Sequence, residues 1–445
     1  MYTIQGDNPT KMYFQTLRDL FDQGDRVAPR GKLIREMRPA CLEFTNPYNR
    51  VTFLRGRRIN PFFQIAESLW ILSGRADVEW LEKFNKNIAQ FSDDGKWFNA
   101  PYGERMRTWN KNALRGFILN PVDQLIDVYT KIITDPDTRQ AVIVLSNPMF
   151  DNSSYTINEH GKDIACNLCL TFKVRQNKLH MTVFNRSNDI HWGVFGANLC
   201  QFSTIQEVLY SWLKYSGHSR FENLEMGTYN HVTDSLHVYL DDYGSKITDE
   251  VLAQYQTESA RDTLDAPFIF DDEPRMTLKA ADFDEFLFIF WSNISPVLMS
   301  DEAILNCQRR EAIFGFDDSS LLSHLLVVGK IDEYWAFVIR AMLAYRLVKL
   351  DQIETALEII SNIPNCQWKV SMLYFLKSFI RKLKSIEDGG IRYQDALDQY
   401  TDIVKDLGEA LPFGLKGLMT LTDYLKLYDE GDNSYEEFKK PADVV

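Results

Sequence analysis

Residues 163–193 read DIACNLCLTFKVRQNKLHMTVFNRSNDIHWG, and both the fold and the site can be predicted outward from this segment. Two apolar runs, IACNLCLTFKV and LHMTVFN, flank the polar residues RQNK, a pattern that predicts a β-hairpin. Cys166 lies on the first strand, and the second strand is followed by the polar turn Arg-Ser-Asn-Asp at 186–189. Since hairpin pairing brings this turn next to the start of the first strand, we expect Arg186 to lie close to Cys166.

This pairing would give Cys166 the surroundings of a nucleophile. A cation beside a thiol favours the thiolate, which is the reactive form. Arg186 also offers a bidentate grip on phosphate, Ser187 adds a hydroxyl donor, and Gly193 allows a ligand to approach the backbone. The stretch therefore indicates a nucleotide site in which sulfur attacks the bound base.

Other interpretations of the cysteines are weaker. Cys166 and Cys169 are an odd number of positions apart on one predicted strand, so their side chains would face opposite ways. This spacing weakens a redox pair, and no second CxxC motif supplies four ligands for zinc. A buried, unreactive cysteine is the ordinary interpretation for Cys169 and Cys200. We predict no metal site.

The composition is that of a folded chain with two or three domains. Its 445 residues are 45% hydrophobic and 25% charged, which is enough to build sizeable cores. A formal net charge of −13 argues against a nucleic-acid surface, and six scattered cysteines are not a disulfide framework. The sequence shows no signal-peptide pattern and no long apolar run of the kind that spans a membrane. We expect a cytoplasmic protein, or one of the host cytoplasm if it is viral.

The pattern of the chain changes after its first half. Strand-like and helix-like runs interleave at first without a regular βαβ rhythm, which favours an α+β fold, and later segments are almost entirely helical. We expect a catalytic domain at 1–265, a linker at 266–285 and a helical extension of unassigned role at 286–445. The predicted strands are 141–147, 164–174 and 179–185, and the predicted helices are 60–73, 122–134, 198–215, 286–298, 319–328, 332–348, 352–361, 366–387 and 393–407.

Over about residues 10–245 the chain resembles thymidylate synthase and the related pyrimidine nucleotide hydroxymethylases. The motifs that carry the resemblance occur in the family's order, namely APRGKLIREM, RRINPFFQIAESLWILSGRADVEWL, FNAPYGERMR, DPDTRQ, RSND, GVFGANLCQF and DSLHVY. The resemblance implies a three-layer α+β core with a mixed β-sheet, here followed by an all-α domain. It also implies a homodimer in which each phosphate site is shared between two chains.

The resemblance implies roles for individual residues. The implied catalytic residues are Cys166, Glu67, Tyr102 and Asn167, the implied nucleotide-binding residues are Arg30, Arg139, Arg186, Ser187, Asn198, His237 and Tyr239, and the implied folate-binding residues are Asp189, Trp192, Gly193 and Arg57. Arg139 would reach the phosphate of the partner subunit. His231 is an alternative to His237 as the ribose ligand. Arg57 and Arg58 are adjacent and could form a solvated edge, but in the family cations at this position can approach the folate tail or the phosphate.

The implied reaction transfers one carbon to a pyrimidine nucleoside monophosphate. Cys166 would add to C6 of the base, and C5 would then attack the one-carbon unit of 5,10-methylenetetrahydrofolate. Hydride transfer would complete a methyl group, whereas water would give a hydroxymethyl group, so the exclusion of water decides the product.

Several departures from the family bear on that product. The stretch NKNIAQFS at 85–92 lacks the family's tryptophan, and the final PADVV resembles its closing tail only loosely. Asn167 stands where the family usually has histidine, and Gln140 replaces the second arginine of the DPDTRQ turn. We therefore favour a dUMP hydroxymethylase. Thymidylate synthase, a dCMP or CMP hydroxymethylase and an inactive synthase-like scaffold stay open as alternatives.

Overall fold

A computed structural model describes most of the chain. The described residues are 1–54, 57, 59–109, 121–151, 161–241, 243–254, 256, 270, 273–383, 390–411, 421 and 425. Arg58 and the final PADVV, both of which enter the sequence analysis, lie outside them. Among the described residues, no helix has both the length and the apolar character needed to cross a bilayer.

The predicted hairpin is confirmed and forms the centre of the larger sheet. Strands β6 (Asn167–Arg175) and β7 (Lys178–Asn185) pair antiparallel, and Gln176 and Asn177 turn between them with φ of 52° and 59°. Positive φ at both central residues is typical of the tight turns that suit twisted strands. The first strand begins at 167 rather than at 164, so Cys166 immediately precedes it.

A register shift between Asn167 and Cys169 corrects one step of the sequence analysis. The extra residue of this β-bulge interrupts the alternation of side chains along the strand. The odd spacing between Cys166 and Cys169 therefore does not fix the relative directions of their side chains. The bulge instead sets the nucleophile candidate at an irregular strand end, next to the turn that carries Arg186.

Two mixed sheets organise the first part of the chain. The six-stranded sheet has the order β1-β4-β9-β7-β6-β5, and the four-stranded sheet has the order β2-β3-β10-β8. Parallel pairs join β1 to β4, β7 to β9 and β8 to β10, and the other pairs are antiparallel. The remaining strands are β1 (Tyr2–Gly6), β2 (Asp25–Val27), β3 (Ile34–Met37), β4 (Ala40–Phe44), β5 (Val142–Val144), β8 (Asn188–Asp189), β9 (Glu225–Thr233) and β10 (Leu236–Tyr239).

Helices pack against the two sheets, and several of them carry site residues. The N-terminus of α2 follows from its sequence, because the Asn60 side chain accepts from the N–H groups of Phe62 and Phe63 and Pro61 occupies the first turn. A nine-residue π-helical turn, Ile190–Asn198, leads directly into α7. These helices are α1 (Pro9–Gln23), α2 (Pro61–Leu72), α3 (Val78–Glu82), α4 (Tyr102–Arg107), α5 (Gln124–Thr134), α6 (Pro148–Asp151), α7 (Leu199–Lys214) and α8 (Tyr243–Gln254).

The C-terminal region is helical, as predicted, and packs directly against α2. Phe62 of α2 contacts the rings of Tyr345 and Phe375 at centroid distances of 5.2 and 5.8 Å, and the Tyr345 hydroxyl donates to the Phe84 carbonyl at 2.8 Å. One hydrophobic cluster runs through both regions. The helices are α9 (Ala280–Ile289), α10 (Ser295–Met299), α11 (Asp301–Leu305), α12 (Cys307–Phe314), α13 (Leu321–Val327), α14 (Glu333–Lys349), α15 (Ile353–Asn362), α16 (Gln367–Leu383) and α17 (Gly390–Glu409).

The α+β fold class is thus confirmed, with mixed sheets followed by a helical region. A short π-helical segment, Phe290–Ile294, joins α9 to α10 inside the predicted helix 286–298, and α11 and α12 were not predicted. The domain boundaries given in the sequence analysis stay predictions.

A buried ion pair ties the core to the segment that leads into the C-terminal helices. Arg50 and Glu207 are 3% and 1% exposed and are hydrogen-bonded to each other, and Arg50 also donates to Thr204 at 3.1 Å. The second carboxylate oxygen of Glu207 accepts from the backbone N–H of Met276 at 3.1 Å. Each charge is therefore compensated in a place where an unpaired charge would be costly.

Replacing Arg50 with methionine should destabilise the protein strongly, since Glu207 would stay buried without its cation. We expect the free energy of unfolding to fall by about 3–5 kcal/mol, measured by urea unfolding followed by tryptophan fluorescence. The control is Lys178→Met, which removes the exposed pair with Glu225 (3.2 Å) and should cost less than about 1 kcal/mol. Equal losses in the two variants would contradict a special role for the buried pair.

Candidate active site

Cys166 and Arg186 are neighbours, as the hairpin predicts. The backbone N–H of Arg186 donates to the Cys166 carbonyl at 3.0 Å, and an Nη2 proton points to the Cys166 Sγ at 3.5 Å. The guanidinium is held in place because Nε donates to the Ala165 carbonyl at 2.9 Å and Nη2 to the Ile164 carbonyl at 3.1 Å. Within the described part of the chain, Nη1 has no hydrogen-bond partner, so it is available to an anion.

Cys166 is surrounded by both positive and negative groups. Burial raises the pKa of the thiol, Arg186 and Arg30 act to lower that pKa, and the carboxyl groups of Asp189 and Asp163 act to raise it. Burial, the largest of these effects, thus favours the protonated thiol. The two guanidinium groups reduce the cost of forming the thiolate when a reaction calls for it.

Tyr102 binds the backbone N–H groups of Cys166 and of the residue that follows it. Its hydroxyl oxygen accepts from the N–H groups of Cys166 at 3.3 Å and of Asn167 at 3.4 Å. The helix that carries Tyr102 lies very close to α2, because a Cβ on Gly103 would come within 2.5 Å of the Ile71 carbonyl oxygen. Glycine is required there, and the close approach fixes the position of Tyr102.

Glu67 is a largely buried carboxyl group on α2. Its Oε2 atom is shielded from solvent and has no hydrogen-bond partner among the described residues. Burial raises the pKa of Glu67 to about 7, and the side chain of Gln201 on α7 acts in the opposite direction. A carboxyl group with this pKa can hold or release a proton near neutral pH, as a general acid or base must.

Asn167 and Asn198 form a buried amide pair next to the cysteine. Their side chains are 1% and 6% exposed, and Asn198 Nδ2 donates to Asn167 Oδ1 at 3.2 Å. Asn198 is the last residue of the π-helical turn, so the position of its side chain is set by the end of that turn.

Asp189 and His237 lie side by side on β8 and β10, where they are register partners. The Asp189 carboxylate accepts from the N–H groups of Trp192 at 2.6 Å and Gly193 at 2.9 Å, so it caps the π-helical turn. Burial raises the pKa of Asp189 and lowers that of His237, while their mutual attraction opposes both shifts. Arg30, which is exposed and has φ of 53°, acts to lower the pKa of His237 and also that of Cys166.

His231 has a structural setting instead. It is fully buried, contacts the Tyr229 hydroxyl at 2.7 Å and Asn188 Oδ1 at 2.9 Å, and burial lowers its pKa to about 3. Of the two alternatives for the ribose, this arrangement favours His237. The ring of Tyr239 lies 5.2 Å from that of His237, edge to face.

The predicted folate residues differ in their placement. Trp192 is 42% exposed and stacks on Phe63 of α2 at 6.0 Å, so it offers an open aromatic surface beside Gly193. Arg57 is instead buried in the protein. Its guanidinium donates to the His191 carbonyl at 2.9 Å and lies 4.4 Å from the ring centre of Tyr13. These internal contacts give Arg57 a supporting position behind the π-helical turn rather than on an open surface.

Arg139 is not brought to the cysteine within one chain. It is exposed in the loop between α5 and β5, where the Asp137 carbonyl accepts from Arg175 at 3.0 Å. Arg175 ends β6 and lies nine residues after Cys166, so at 3.3 Å per residue the two sites are roughly 30 Å apart. Ser187, by contrast, lies next to Arg186 and is partly buried.

Comparison with known proteins identifies the family. Residues 11–288 match the family described as thymidylate synthase. The chain is also 46% identical over 382 residues to the deoxyuridylate hydroxymethyltransferase of Bacillus phage SP01, which covers 84% of this chain and 94% of that protein. The chain belongs to the thymidylate synthase family.

Two further relatives carry the same description. A deoxyuridylate hydroxymethyltransferase of Pseudomonas phage M6 is 32% identical over 241 residues, covering 54% of this chain and 62% of that protein. A deoxyuridylate hydroxymethyltransferase of Delftia phage PhiW-14 is 32% identical over 179 residues, covering 39% of this chain and 46% of that protein. Since the family match ends at residue 288, the 84% coverage with the phage SP01 protein extends into the helical C-terminal region.

The family that the sequence predicted is confirmed. The sequence analysis nevertheless missed some residues of the site. Asp163 Oδ2 accepts from the Ala100 N–H at 2.8 Å, and its charge acts on Cys166 and Tyr102. Gln201, beside Glu67, was missed as well. Asp163 lies three residues before the cysteine, a proximity that could have drawn attention to it. Nothing in the spacing points to Gln201.

Among the described residues, no cluster of three or more potential metal ligands occurs. Two features fit a folate. Trp192 has an exposed aromatic face, and the Asp189 carboxylate could accept hydrogen bonds from the N–H groups of the pterin ring.

Glu67→Gln tests the burial of this carboxyl group through the pH dependence of stability. Because the pKa of Glu67 is raised from 4.5 to about 7 in the folded chain, the stabilisation present below pH 4.5 is lost as the pH rises through 7. Glutamine does not ionise, so the variant should gain up to about 3 kcal/mol relative to wild type between pH 4.5 and pH 8.

Urea unfolding of both proteins at several pH values measures this difference. The control is Glu225→Gln, at an exposed position on β9. A difference between wild type and Glu67→Gln that does not vary with pH would contradict the buried placement of Glu67.

Proposed function

We propose that the protein is a deoxyuridylate hydroxymethyltransferase, which forms 5-hydroxymethyl-dUMP from dUMP, 5,10-methylenetetrahydrofolate and water. Membership of the thymidylate synthase family makes the chain a one-carbon transferase. The observation that carries the proposal is the 3.5 Å approach of Arg186 to the Cys166 sulfur, combined with similarity to the phage SP01 enzyme over most of both chains.

The nucleotide would bind between Cys166 and the residues of the RSND turn. Arg186 Nη1, Arg30 and the Ser187 hydroxyl would hold the phosphate, and Arg186 is already oriented by the two carbonyls it contacts. His237 and Tyr239 on β10 would bind the ribose. Asn198 would bind the pyrimidine edge, as its amide both donates and accepts.

Sulfur addition begins the chemistry. The Cys166 thiolate forms a bond to C6, and the electron pair of the C5–C6 double bond moves onto C5 and O4 as an enolate. Methylenetetrahydrofolate would supply a carbon at the oxidation level of formaldehyde. This carbon would bond to C5, its two bonds to folate nitrogens would break, and tetrahydrofolate would leave with the electron pair and a proton. Glu67, with a pKa near 7, is placed to organise the proton transfers, including loss of the C5 proton. Water then bonds to the exocyclic carbon, the C6–S bond breaks, and the thiolate of Cys166 is restored.

The product should be hydroxymethyl rather than methyl because the site lacks the family's tryptophan shield. The stretch 85–92 contains the 3-10 helix Ile88–Phe91, in which Ile88 is 6% exposed and Phe91 46% exposed. Neither side chain is an indole, and a shield smaller than the family's would exclude water less well. Thymidylate synthase is the alternative, followed by a dCMP or CMP hydroxymethylase and an inactive scaffold.

We also propose a homodimer. A row of register partners crosses the uncovered face of the larger sheet, consisting of Val144, Cys169, Phe184, Val232 and Cys41. Val144 and Phe184 are 42% and 39% exposed, and an open apolar sheet face of this kind suits a second copy. Packing of two sheets face to face would allow Arg139 of one chain to reach the phosphate of the other. The phage relatives support action in the cytoplasm of an infected host.

Cys166→Ser should abolish the release of tritium from [5-³H]dUMP in the presence of methylenetetrahydrofolate, because the weaker oxygen nucleophile cannot activate C5. Mass spectrometry of the wild-type product should show hydroxymethyl-dUMP, with no rise in dihydrofolate absorbance. The control is Cys169→Ser, which should keep tritium release. Release that persists in Cys166→Ser would remove the proposed nucleophile, and a methyl product would establish the synthase alternative.

Mixing two inactive variants tests the shared phosphate site. Cys166→Ser and Arg139→Ala should each be poorly active alone, whereas a mixed dimer contains one site with both native residues. After mild unfolding and refolding of an equal mixture, we expect about a quarter of wild-type tritium release, since half of the dimers are mixed. No recovery of activity, with dimers verified by light scattering, would contradict the contribution of Arg139 in trans.

A further inference from the structure

His191 is a buried histidine of the π-helical turn, and it lies between the two residues that fit a folate. Its side chain is almost fully buried, whereas that of Trp192, the next residue, is exposed. The Asp189 carboxylate interacts with the backbone N–H of His191 as well as with those of Trp192 and Gly193. The imidazole therefore lies in the protein interior, directly behind the groups that would meet a folate.

Both ring nitrogens of His191 are bound, each by a different helix. Nδ1 lies 2.6 Å from the hydroxyl of Tyr13 on α1, and Nε2 lies 2.9 Å from the hydroxyl of Thr248 on α8. Tyr13 and Thr248 are fully buried, so both contacts are shielded from water. The imidazole thus joins the π-helical turn to α1 on one side and to α8 on the other.

The direction of these two hydrogen bonds follows from the protonation of the groups. Burial lowers the pKa of His191 to about 3, and Arg57 acts in the same direction, so the ring is neutral and carries one N–H. Burial raises the pKa of Tyr13, whose hydroxyl therefore keeps a proton to donate. The backbone of Gly244, one helical turn before Thr248, acts to raise the pKa of His191, as a carbonyl acceptor does.

One arrangement satisfies all of these groups. The Tyr13 hydroxyl donates to Nδ1, and the Nε2 proton is donated to α8. A ring turned over by 180° would place carbon atoms against both hydroxyls and leave two buried polar groups unpaired, which is costly. The orientation of the imidazole is therefore fixed by its two partners together.

The main chain of His191 is held as closely as its ring. Its carbonyl accepts from the Arg57 guanidinium at 2.9 Å. Gly196 approaches the same carbonyl so closely that a Cβ would come within 2.6 Å of the oxygen. Since the turn is folded tightly around this residue, Asp189 and Trp192 have little freedom to lose when a ligand binds them.

We infer that His191 is a positioning residue for the folate, which holds the Asp189 carboxylate and the Trp192 ring in place by joining their turn to α1 and α8. The inference rests on the proposed function and deepens it, because it assigns the alignment of the one-carbon donor to a residue that does not touch it. Arg186 is held by separate hydrogen bonds to the backbone before Cys166. Loss of the His191 contacts should therefore weaken folate binding more than nucleotide binding.

Binding measurements on the full-length protein test the inference. His191→Phe keeps an aromatic ring and removes both hydrogen bonds. We expect the Kd of tetrahydrofolate, measured by titration calorimetry in the presence of dUMP, to rise about tenfold or more, because nothing then anchors the turn. The Kd of dUMP alone should change by less than about threefold. In tritium release, the KM for methylenetetrahydrofolate should rise with the Kd of tetrahydrofolate, and kcat should change much less.

Thr248 offers a milder pair of variants that decides the question if His191→Phe does not fold. Thr248→Val keeps the shape of the side chain and removes the hydroxyl, so the Kd of tetrahydrofolate should rise about threefold or more. Thr248→Ser keeps the hydroxyl and should stay within about twofold of wild type. Equal Kd values for tetrahydrofolate in the two variants would overturn the inference.

Asn49→Leu provides a matched control for general destabilisation. Asn49 is also a buried residue that joins two parts of the chain, because its amide donates to the Asp7 carbonyl at 2.8 Å and accepts from Gln367 at 2.9 Å. Neither partner belongs to the candidate site, so the ratio of the two Kd values should match that of wild type. A control that reproduces the change seen in His191→Phe would overturn the inference.

The remaining outcomes separate the inference from the proposed function. An unchanged Kd of tetrahydrofolate in His191→Phe, or an equal weakening of tetrahydrofolate and dUMP, would overturn the role of His191. Turnover of wild type on dUMP is recorded in the same series. A wild-type protein that binds tetrahydrofolate but does not act on dUMP would overturn the proposed function, whereas an active wild type with an unchanged Kd in His191→Phe overturns only the inference.

Discussion

The hydrogen bonds from the Arg186 guanidinium to the backbone before Cys166 are the constraint on which the site depends. Nε and Nη2 bind the carbonyls of Ala165 and Ile164, and Nη2 also approaches the cysteine sulfur. The arginine therefore fixes the strand end that carries the nucleophile before any ligand arrives. Its remaining Nη1 group is directed by the same contacts, so little conformational freedom is left to lose when a phosphate binds.

Positive and negative side chains around Cys166 oppose each other in their effect on the thiol. The protein carries a net charge of −13, and two carboxyl groups, Asp163 and Asp189, act on Cys166. Arg186 and Arg30 offset them locally. A bound phosphate would in turn occupy these cations, and the thiolate must form within that arrangement. Glu67, on the neighbouring helix, can exchange protons near neutral pH because burial raises its pKa to about 7.

The sequence predicted those features that depend on local pattern. The hairpin, the helix start at Pro61 and the contact between Cys166 and Arg186 follow from apolar periodicity, turn residues and strand pairing. The β-bulge after Asn167 was not predictable, because it depends on how the strand meets its neighbours rather than on alternation. The interior position of Arg57 and the pairing of Asn167 with Asn198 likewise arise from contacts between residues far apart in the chain.

The packing of α14 and α16 against α2 has a consequence for the size of the protein. Phe62 and Phe84 are fully buried, and part of their cover comes from Tyr345 and Phe375. Cutting the chain back to the length of its family match would strip this cover and leave aromatic rings facing water. The region of the family match therefore depends on the C-terminal helices to bury these rings. A chain truncated after residue 288 would need polar substitutions on α2 to stay in solution.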